Sequence, residues 1–321
     1  MQFLTSLLLL LPFCAYQVTV HAQAHEPGTS SCTDTHIFLA RGLNEDYPGR
    51  QSDLATELAE VLYQSPNSSS YEDIMYTSSF EANYCDSIFE GVVNGKAQMI
   101  AYNERCPKSK LVVSGYSQGA YVVGDMFAGG GGTFGNCVQG SNEGLDINSD
   151  AGKMVTAILI WGSRRHTASQ PYNTFSGAEK NGTYPRPASQ LETLKQWTPV
   201  LRDYCVATDP NCAGGNVNED HWNYFELYTD QAAQWIKNQV DNNITVASVV
   251  APSDSTASST TQSTITSSAT PGMTGTSTSS LTNSATSSSS ASTSSSGSAA
   301  STSYTVNMIG LAIAGIFAAS I

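Results

Sequence analysis

Positive charge is scarce in this chain of 321 residues: 14 Lys and Arg stand against 27 Asp and Glu, a formal net charge of −13. That balance would repel a nucleic acid or an anionic membrane surface and argues against both as partners; it is compatible with a neutral polymer. The grammar of a metal site is missing as well. No Cys-x-x-Cys pair and no paired histidines accompany the cysteines, so neither a metal nor another cofactor is expected. No segment repeats another, which argues against a solenoid or propeller. Between residues 252 and 303 large apolar side chains are almost absent, and Ser and Thr dominate. Such a stretch cannot bury enough surface to offset its conformational entropy and reads as an extended, O-glycosylated stalk.

Two further absences concern the ends. The first residues carry no Lys or Arg, yet the run Leu7-Leu8-Leu9-Leu10-Leu11 leads to Ala22-Gln23-Ala24, an A-x-A-like cleavage site. Residues 1–24 therefore read as a secretory signal. The apolar run Val306 to Ile321 has no basic residue after it and follows small residues, Ser296-Gly297-Ser298, across a polar spacer. A helix of that length spans only about 24 Å, short of a hydrocarbon core of roughly 30 Å, so residues 304–321 read as a GPI-anchor signal rather than a spanning helix. Membrane attachment is expected only through that lipid. The folded part is then one domain over residues 31–246, expected as a monomer.

Secretion agrees with the cysteines. Cys14 leaves with the signal, and Cys32, Cys85, Cys106, Cys137, Cys205 and Cys212 remain, an even set suited to disulfides in an oxidising compartment. Sequons at Asn67, Asn181 and Asn243 are candidate N-glycosylation sites.

Within the domain, apolar strands alternate with helical spacing. Strands are predicted at residues 35–40, 74–76, 111–114, 155–161 and 200–206, and helices at 52–63, 87–105 and 223–240, with 129–150 Gly-rich and irregular. The near-continuous apolar run Val155 to Trp161 suits a parallel sheet covered on both faces, so the fold class is α/β with a mainly parallel sheet. One pentapeptide stands out. Gly115-Tyr116-Ser117-Gln118-Gly119 directly follows Leu111-Val112-Val113, a strand running into G-x-S-x-G and then a helix. In that context the small residues permit a sharp, strained turn that holds the Ser117 hydroxyl out at the carboxyl edge of the sheet.

Serine needs a base, and the base needs an orienting carboxylate. The fold expects the order Ser, then Asp or Glu, then His. His36 precedes the serine; His166 stands beside Arg164 and Arg165, which would disfavour its imidazolium; His221 comes last, in the polar loop 215–222, and is the favoured base. Asp203, Asp209, Glu219 and Asp220 compete as the carboxylate. Glu219 and Asp220 adjoin His221 too closely to face it, whereas Asp209 lies between Cys205 and Cys212, where a disulfide would restrain it; the rival reading makes Asp209-Pro210 a turn former.

Taken together, Gly-Tyr-Ser-Gln-Gly, Cys106-Pro107 eleven residues before Ser117, Cys205…Asp209…Cys212, His221 twelve residues beyond that Asp and the early Ala40-Arg41-Gly42…Glu45 segment closely resemble the cutinase and fungal acetylxylan esterase family over about residues 31–240. The resemblance implies a compact, three-layer α/β-hydrolase with a small central sheet and no large lid. It implies Ser117 as nucleophile, His221 as general base and then acid, and Asp209 as its orienting partner. Disulfides Cys32–Cys106 and Cys205–Cys212 are implied too, which leaves Cys85 with Cys137. The oxyanion donors would be the backbone N–H groups of Gln118 and Leu43; many relatives carry Ser or Thr where this chain has Leu43, followed by Asn44. The polar approach to His221, residues 214–220, suits a sugar hydroxyl better than a fatty chain, and Pro171-Tyr172-Asn173…Arg186-Pro187-Ala188 looks more like acetylxylan esterases than cutinases. Tyr116, Tyr172 and Trp222 are candidate sugar-stacking faces. The expected activity is hydrolysis of short-acyl esters on polysaccharide such as xylan; the alternatives are cutin polyester as substrate, or a wall adhesin retaining an esterase-like domain.

Overall fold

The computed structural model describes residues 27–28, 31–65 and 68–250. The expected signal, stalk and anchor segments, and Asn67, lie outside them. The chain runs β1 (Thr35–Ala40), α1 (Ser52–Val61), β2 (Ser69–Asp73), α2 (Tyr84–Arg105), β3 (Lys110–Tyr116) and α3 (Gln118–Ala128). A hairpin of β4 (Gly130–Phe134) and β5 (Cys137–Asn142) follows, then α4 (Asp150–Lys153), β6 (Val155–Trp161), β7 (Asn173–Thr174), α5 (Ala188–Lys195) and β8 (Leu201–Tyr204). The described chain closes with α6 (Asn218–Trp222), α7 (Tyr224–Asp241) and α8 (Val246–Val250).

Six strands form one sheet in the order β2-β1-β3-β6-β8-β7, every neighbouring pair parallel. Alternate residues of the central strands feed two separate cores. Phe38, Leu111, Val113, Ile158 and Ile160 pack with Val92, Met99, Val122 and Met126 of α2 and α3. Ile37, Leu39, Val112, Leu159 and Trp161 pack with Leu54 and Leu58 of α1 and Phe225, Ala232 and Ile236 of α7. The result is the expected three-layer α/β sandwich. Both faces of β1 and β6 are buried, which is why Ile37 to Ala40 and Ala157 to Trp161 are apolar without interruption. The serine hydroxyl inside β3 is satisfied: Ser114 donates to Gln51 Oε1 at 2.6 Å and accepts from the Trp161 indole at 3.1 Å.

Two expectations need correcting. The strand predicted at residues 74–76 lies earlier, at Ser69–Asp73. Ile74 still donates to Leu39 O, but the Met75 N–H goes to Gln98 Oε1 and the Tyr76 N–H to the Tyr47 hydroxyl, so side chains take the donors that a strand would use. β2 itself is polar and is an edge strand, paired only with β1. The Gly-rich stretch after α3 is not irregular either. It forms the β4–β5 hairpin, whose β5 end is tied to α2 by Cys85–Cys137 and to α3 by a 2.8 Å bond from Gln139 to Asp125.

The crossing of β3 into α3 depends on two missing side chains. A Cβ at Gly115 would sit 2.2 Å from Gly119 O, and one at Gly119 would sit 1.8 Å from Ala40 O. Neither backbone atom can retreat without shifting β1 or α3. In a helix, Gly→Ala ordinarily stabilises by about 0.5–1 kcal/mol. Here Gly119→Ala is expected to destabilise the fold by about 3 kcal/mol or more, read by urea unfolding; unchanged stability would refute the close-approach argument.

Candidate active site

Ser117 occupies the turn between β3 and α3 with φ 54° and ψ −109°, left-handed backbone that an L-residue adopts at a cost of order 1–3 kcal/mol. Hydrogen bonds keep it there: its N–H donates to Trp161 O at 2.9 Å, and its carbonyl accepts from Tyr121 N–H at 3.2 Å. The hydroxyl projects beyond the carboxyl ends of β3 and β6, where the loops after β6 and β8 also arrive.

His221 meets it. Nε2 lies 3.0 Å from Ser117 Oγ, and Nδ1 lies 2.9 Å from Asp209 Oδ2. The histidine sits on the short helix α6 rather than in a loop, and is almost fully buried. The Tyr116 hydroxyl donates to His221 O at 2.8 Å, fixing the backbone that carries the ring. Gly162, at φ +60°, makes room for it, because a Cβ there would come within 2.8 Å of the imidazole. Ring position and tautomer are thus constrained from both sides.

Asp209 is fully buried and takes four hydrogen bonds. Oδ1 accepts from the N–H groups of Asn211 at 2.7 Å and Cys212 at 3.3 Å. Oδ2 accepts from His221 and, at 2.8 Å, from the Tyr224 hydroxyl. One oxygen of this residue therefore closes its own turn and the other faces the histidine. Burial alone would raise the carboxyl's pKa; the donors, led by His221, outweigh it and hold the group below its ordinary value of 3.8. Cys205–Cys212 closes the loop around it.

The remaining predicted residues fall as follows. Gln118 opens α3, so its backbone N–H is one of the helix's free donors. Leu43 follows Gly42, whose N–H is held by Glu45 Oε2 at 2.8 Å; Glu45 in turn pairs with Arg50 at 2.9 Å. Asn44 is exposed, has φ 59°, and uses its N–H on Ser78 O, as a turn residue does. Disulfides join Cys32 to Cys106, Cys85 to Cys137 and Cys205 to Cys212. Asn181 and Asn243 are exposed. Tyr116 and Tyr172 are buried core residues and present no stacking face, whereas Trp222 is 46% exposed beside His221. His166 is buried with Nδ1 2.9 Å from Asp203 Oδ2. Burial lowers its pKa, but the Asp203 carboxylate more than compensates and the net shift is upward, against the expectation drawn from Arg164 and Arg165.

Two contributors escaped the sequence reading. Tyr224 binds Asp209 Oδ2, and only its position three residues after His221, at the start of an amphipathic helix, could have hinted at it. Ser78 is the other: its hydroxyl lies 2.9 Å from Gly42 O and 2.7 Å from Gln118 Oε1, bridging the two segments that flank Ser117. No local pattern marks it.

Comparison with known proteins bears on the family. The family model "Cutinase" matches residues 31–240. Acetylxylan esterase 2 of Talaromyces purpureogenus is 30% identical over 219 residues, covering 65% of this chain and 88% of that protein. Cutinase 11 of Verticillium dahliae is 27% identical over 218 residues, covering 66% and 70% respectively. The catalytic core of acetyl xylan esterase from Trichoderma reesei superimposes with a TM-score of 0.53 at 26% identity, over 65% of this chain and all of that one. With the fold, the G-x-S-x-G turn and the matched span in agreement, the chain belongs to the cutinase family and is a carboxylic ester hydrolase.

Proposed function

We propose that the protein is a secreted serine esterase that removes short acyl groups, acetyl above all, from polysaccharide such as xylan through an acyl-enzyme on Ser117. The observation that carries this reading is the unbroken Ser117–His221–Asp209 chain at 3.0 and 2.9 Å. Ser117 Oγ attacks the ester carbonyl while His221 Nε2 takes its proton, and Asp209, ionised well below neutral pH, holds Nδ1–H and steadies the imidazolium. The tetrahedral oxyanion is received by the backbone N–H groups of Gln118 and Leu43, each contributing about 3 kcal/mol. Collapse expels the alcohol, protonated by His221, and leaves the acyl group on Ser117. A water activated by the same histidine then releases the acid and restores the serine.

Support for a sugar substrate comes from the approach to His221. Gly214, Asn216, Asn218 and Glu219 are exposed and polar, and Trp222 offers one open aromatic face. Two relatives are named acetylxylan esterases, which points the same way. The predicted signal and anchor segments would place the enzyme at the cell surface.

Expected is covalent labelling of Ser117 by a fluorophosphonate, abolished in Ser117→Ala together with a fall in kcat/KM of about 1,000-fold or more. The intact enzyme should release 4-nitrophenol from the acetate but not the palmitate. Equal rates on both would favour a cutin-type polyester, and absence of labelling in folded protein would remove the esterase mechanism.

Tyr224→Phe tests the support of Asp209. It removes one donor to the carboxylate and the acceptor of the Val206 N–H at 3.1 Å. We expect a loss of about 1–3 kcal/mol near neutral pH. The depressed Asp209 pKa contributes stability that is complete above its unfolded value of 3.8 and fades as pH falls through the lower folded value. The gap between variant and parent should therefore narrow in acid, leaving the Val206 part; a gap that widens below pH of about 3 would contradict it.

A further inference from the structure

A pocket of about 290 Å3 opens beside the oxyanion loop and plays no part in the chemistry above. Leu43 belongs to its wall, so the pocket begins at the residue proposed to hold the oxyanion. Four aromatic side chains line it among smaller residues: Phe80, Tyr84 at the start of α2, Phe134 at the end of β4, and Tyr184. Phe134 and Tyr184 pack edge to face with centroids 5.6 Å apart, and Cys85–Cys137 pins the hairpin beneath them. Burial pushes the Tyr84 phenol up to about 12, so it stands there as a neutral hydroxyl.

Among the described residues Arg164 is the only charged one that lines the pocket. It is exposed, its guanidinium carbon lies 5.8 Å from the Tyr84 ring, and its carbonyl accepts from Tyr184 N–H at 2.8 Å. Nε donates to Asn211 Oδ1 at 3.0 Å, anchoring the side chain to the loop that carries Asp209. Among the described residues no carboxylate lies within salt-bridge distance of it, and neither Glu81 nor Asp86, near in sequence, lines the pocket. A second cation stands behind the wall. The buried Arg165 lies 4.8 Å from the Phe134 centroid and bonds to Tyr121 and Gln190, while the carboxylate of that cluster, Asp125, is engaged by Arg186 at 2.6 Å. In a protein of net charge −13 this is a local reversal of sign, in a pocket that Leu43 also lines.

We propose that this pocket receives a carboxylate carried by the ester substrate, held by Arg164 between aromatic walls. The inference rests on Ser117 being the nucleophile and deepens that reading. With Nε anchored, the remaining guanidinium donors keep the fork geometry that matches a carboxylate. A neutral fatty chain could cover the rings but would leave the cation unused. The carboxylate can reside on the acyl side, as in a dicarboxylic half-ester, or on the alcohol side, as in a uronic acid.

Two substrate pairs distinguish these sources. One compares the mono-4-nitrophenyl ester of adipic acid with its terminal amide; the other compares methyl 3-O-acetyl-glucopyranosiduronic acid with the corresponding glucopyranoside. The charged member of one pair should be preferred by about tenfold in kcat/KM, the worth of one charge-assisted hydrogen bond. In Arg164→Gln that ratio should fall to near one, and Arg164→Lys should keep part of it. Because each ratio is taken within one variant, altered stability does not distort it. Should the glutamine variant not fold, the wild-type ratio should still shrink between low salt and about 0.5 M salt, as an exposed ion pair requires. A ratio near one for both pairs in an enzyme that hydrolyses the neutral members would overturn the proposal and leave the serine mechanism standing, as would a preference that survives in Arg164→Gln. Failure to hydrolyse any member, with no fluorophosphonate labelling, would overturn both.

Discussion

A carboxylate withdrawn from water has to be met by donors, and the upper edge of this molecule is arranged around that requirement at Asp209. Four hydrogen bonds converge on it from three pieces of chain: the turn at 211–212, the helix carrying His221 and the start of α7. Without them the buried charge would cost several kcal/mol or would pick up a proton. With them, the loop between β8 and α6, α6 and α7 share a single electrostatic centre. The Cys205–Cys212 link limits how far that loop can relax, and the Tyr224 hydroxyl reaches both the carboxylate and the Val206 N–H. Orientation of the histidine thus follows from satisfying a buried anion.

The serine is held by a different means, steric rather than electrostatic. Its left-handed backbone is unfavourable taken alone, and it persists because α3 is packed into the same core as Leu111 and Val113 of β3, while Val112 and Tyr116 fix the strand's other face in the second core. Gly115 and Gly119 let α3 rise directly off the strand, and Gly162 lets the imidazole approach. Ser78 then clasps Gly42 to Gln118, bringing the early loop against the helix start. Positions far apart in sequence are brought within hydrogen-bond reach by parallel strands whose carboxyl ends all point to one edge.

Much of this could be read from the chain, and the limits have physical reasons. β1 and β6 announce themselves because both faces are buried, and Ser117 because the turn demands glycine on either side. Asp209 stood out because a seven-residue disulfide interval would restrain whatever lies inside it, and His221 because it comes last in chain order, in a polar segment. What stayed hidden depends on tertiary pairing. β2 is built from Ser, Tyr, Glu and Asp, and its buried Glu72 is met in space by His36, so it carries no apolar signature. The β4–β5 hairpin contains glycines at φ +113° and +125° that intrinsic preference assigns to loops. Ser78 and Tyr224 act through hydroxyls whose partners lie 40 and 15 residues away. His166 shows the same limit, for its sequence neighbours are arginines while its partner in space is Asp203.

The ends of the sheet order have a consequence of another kind. A sheet that stops abruptly leaves unpaired donors and acceptors, an invitation for a second molecule to add a strand. Here one border strand, β7, is two residues long, and the other, β2, is polar and hands its successor's N–H groups to side chains of its own protein. Both borders are poor templates for an incoming strand. Resistance to edge-to-edge association is then written into the least conspicuous strands of the sheet.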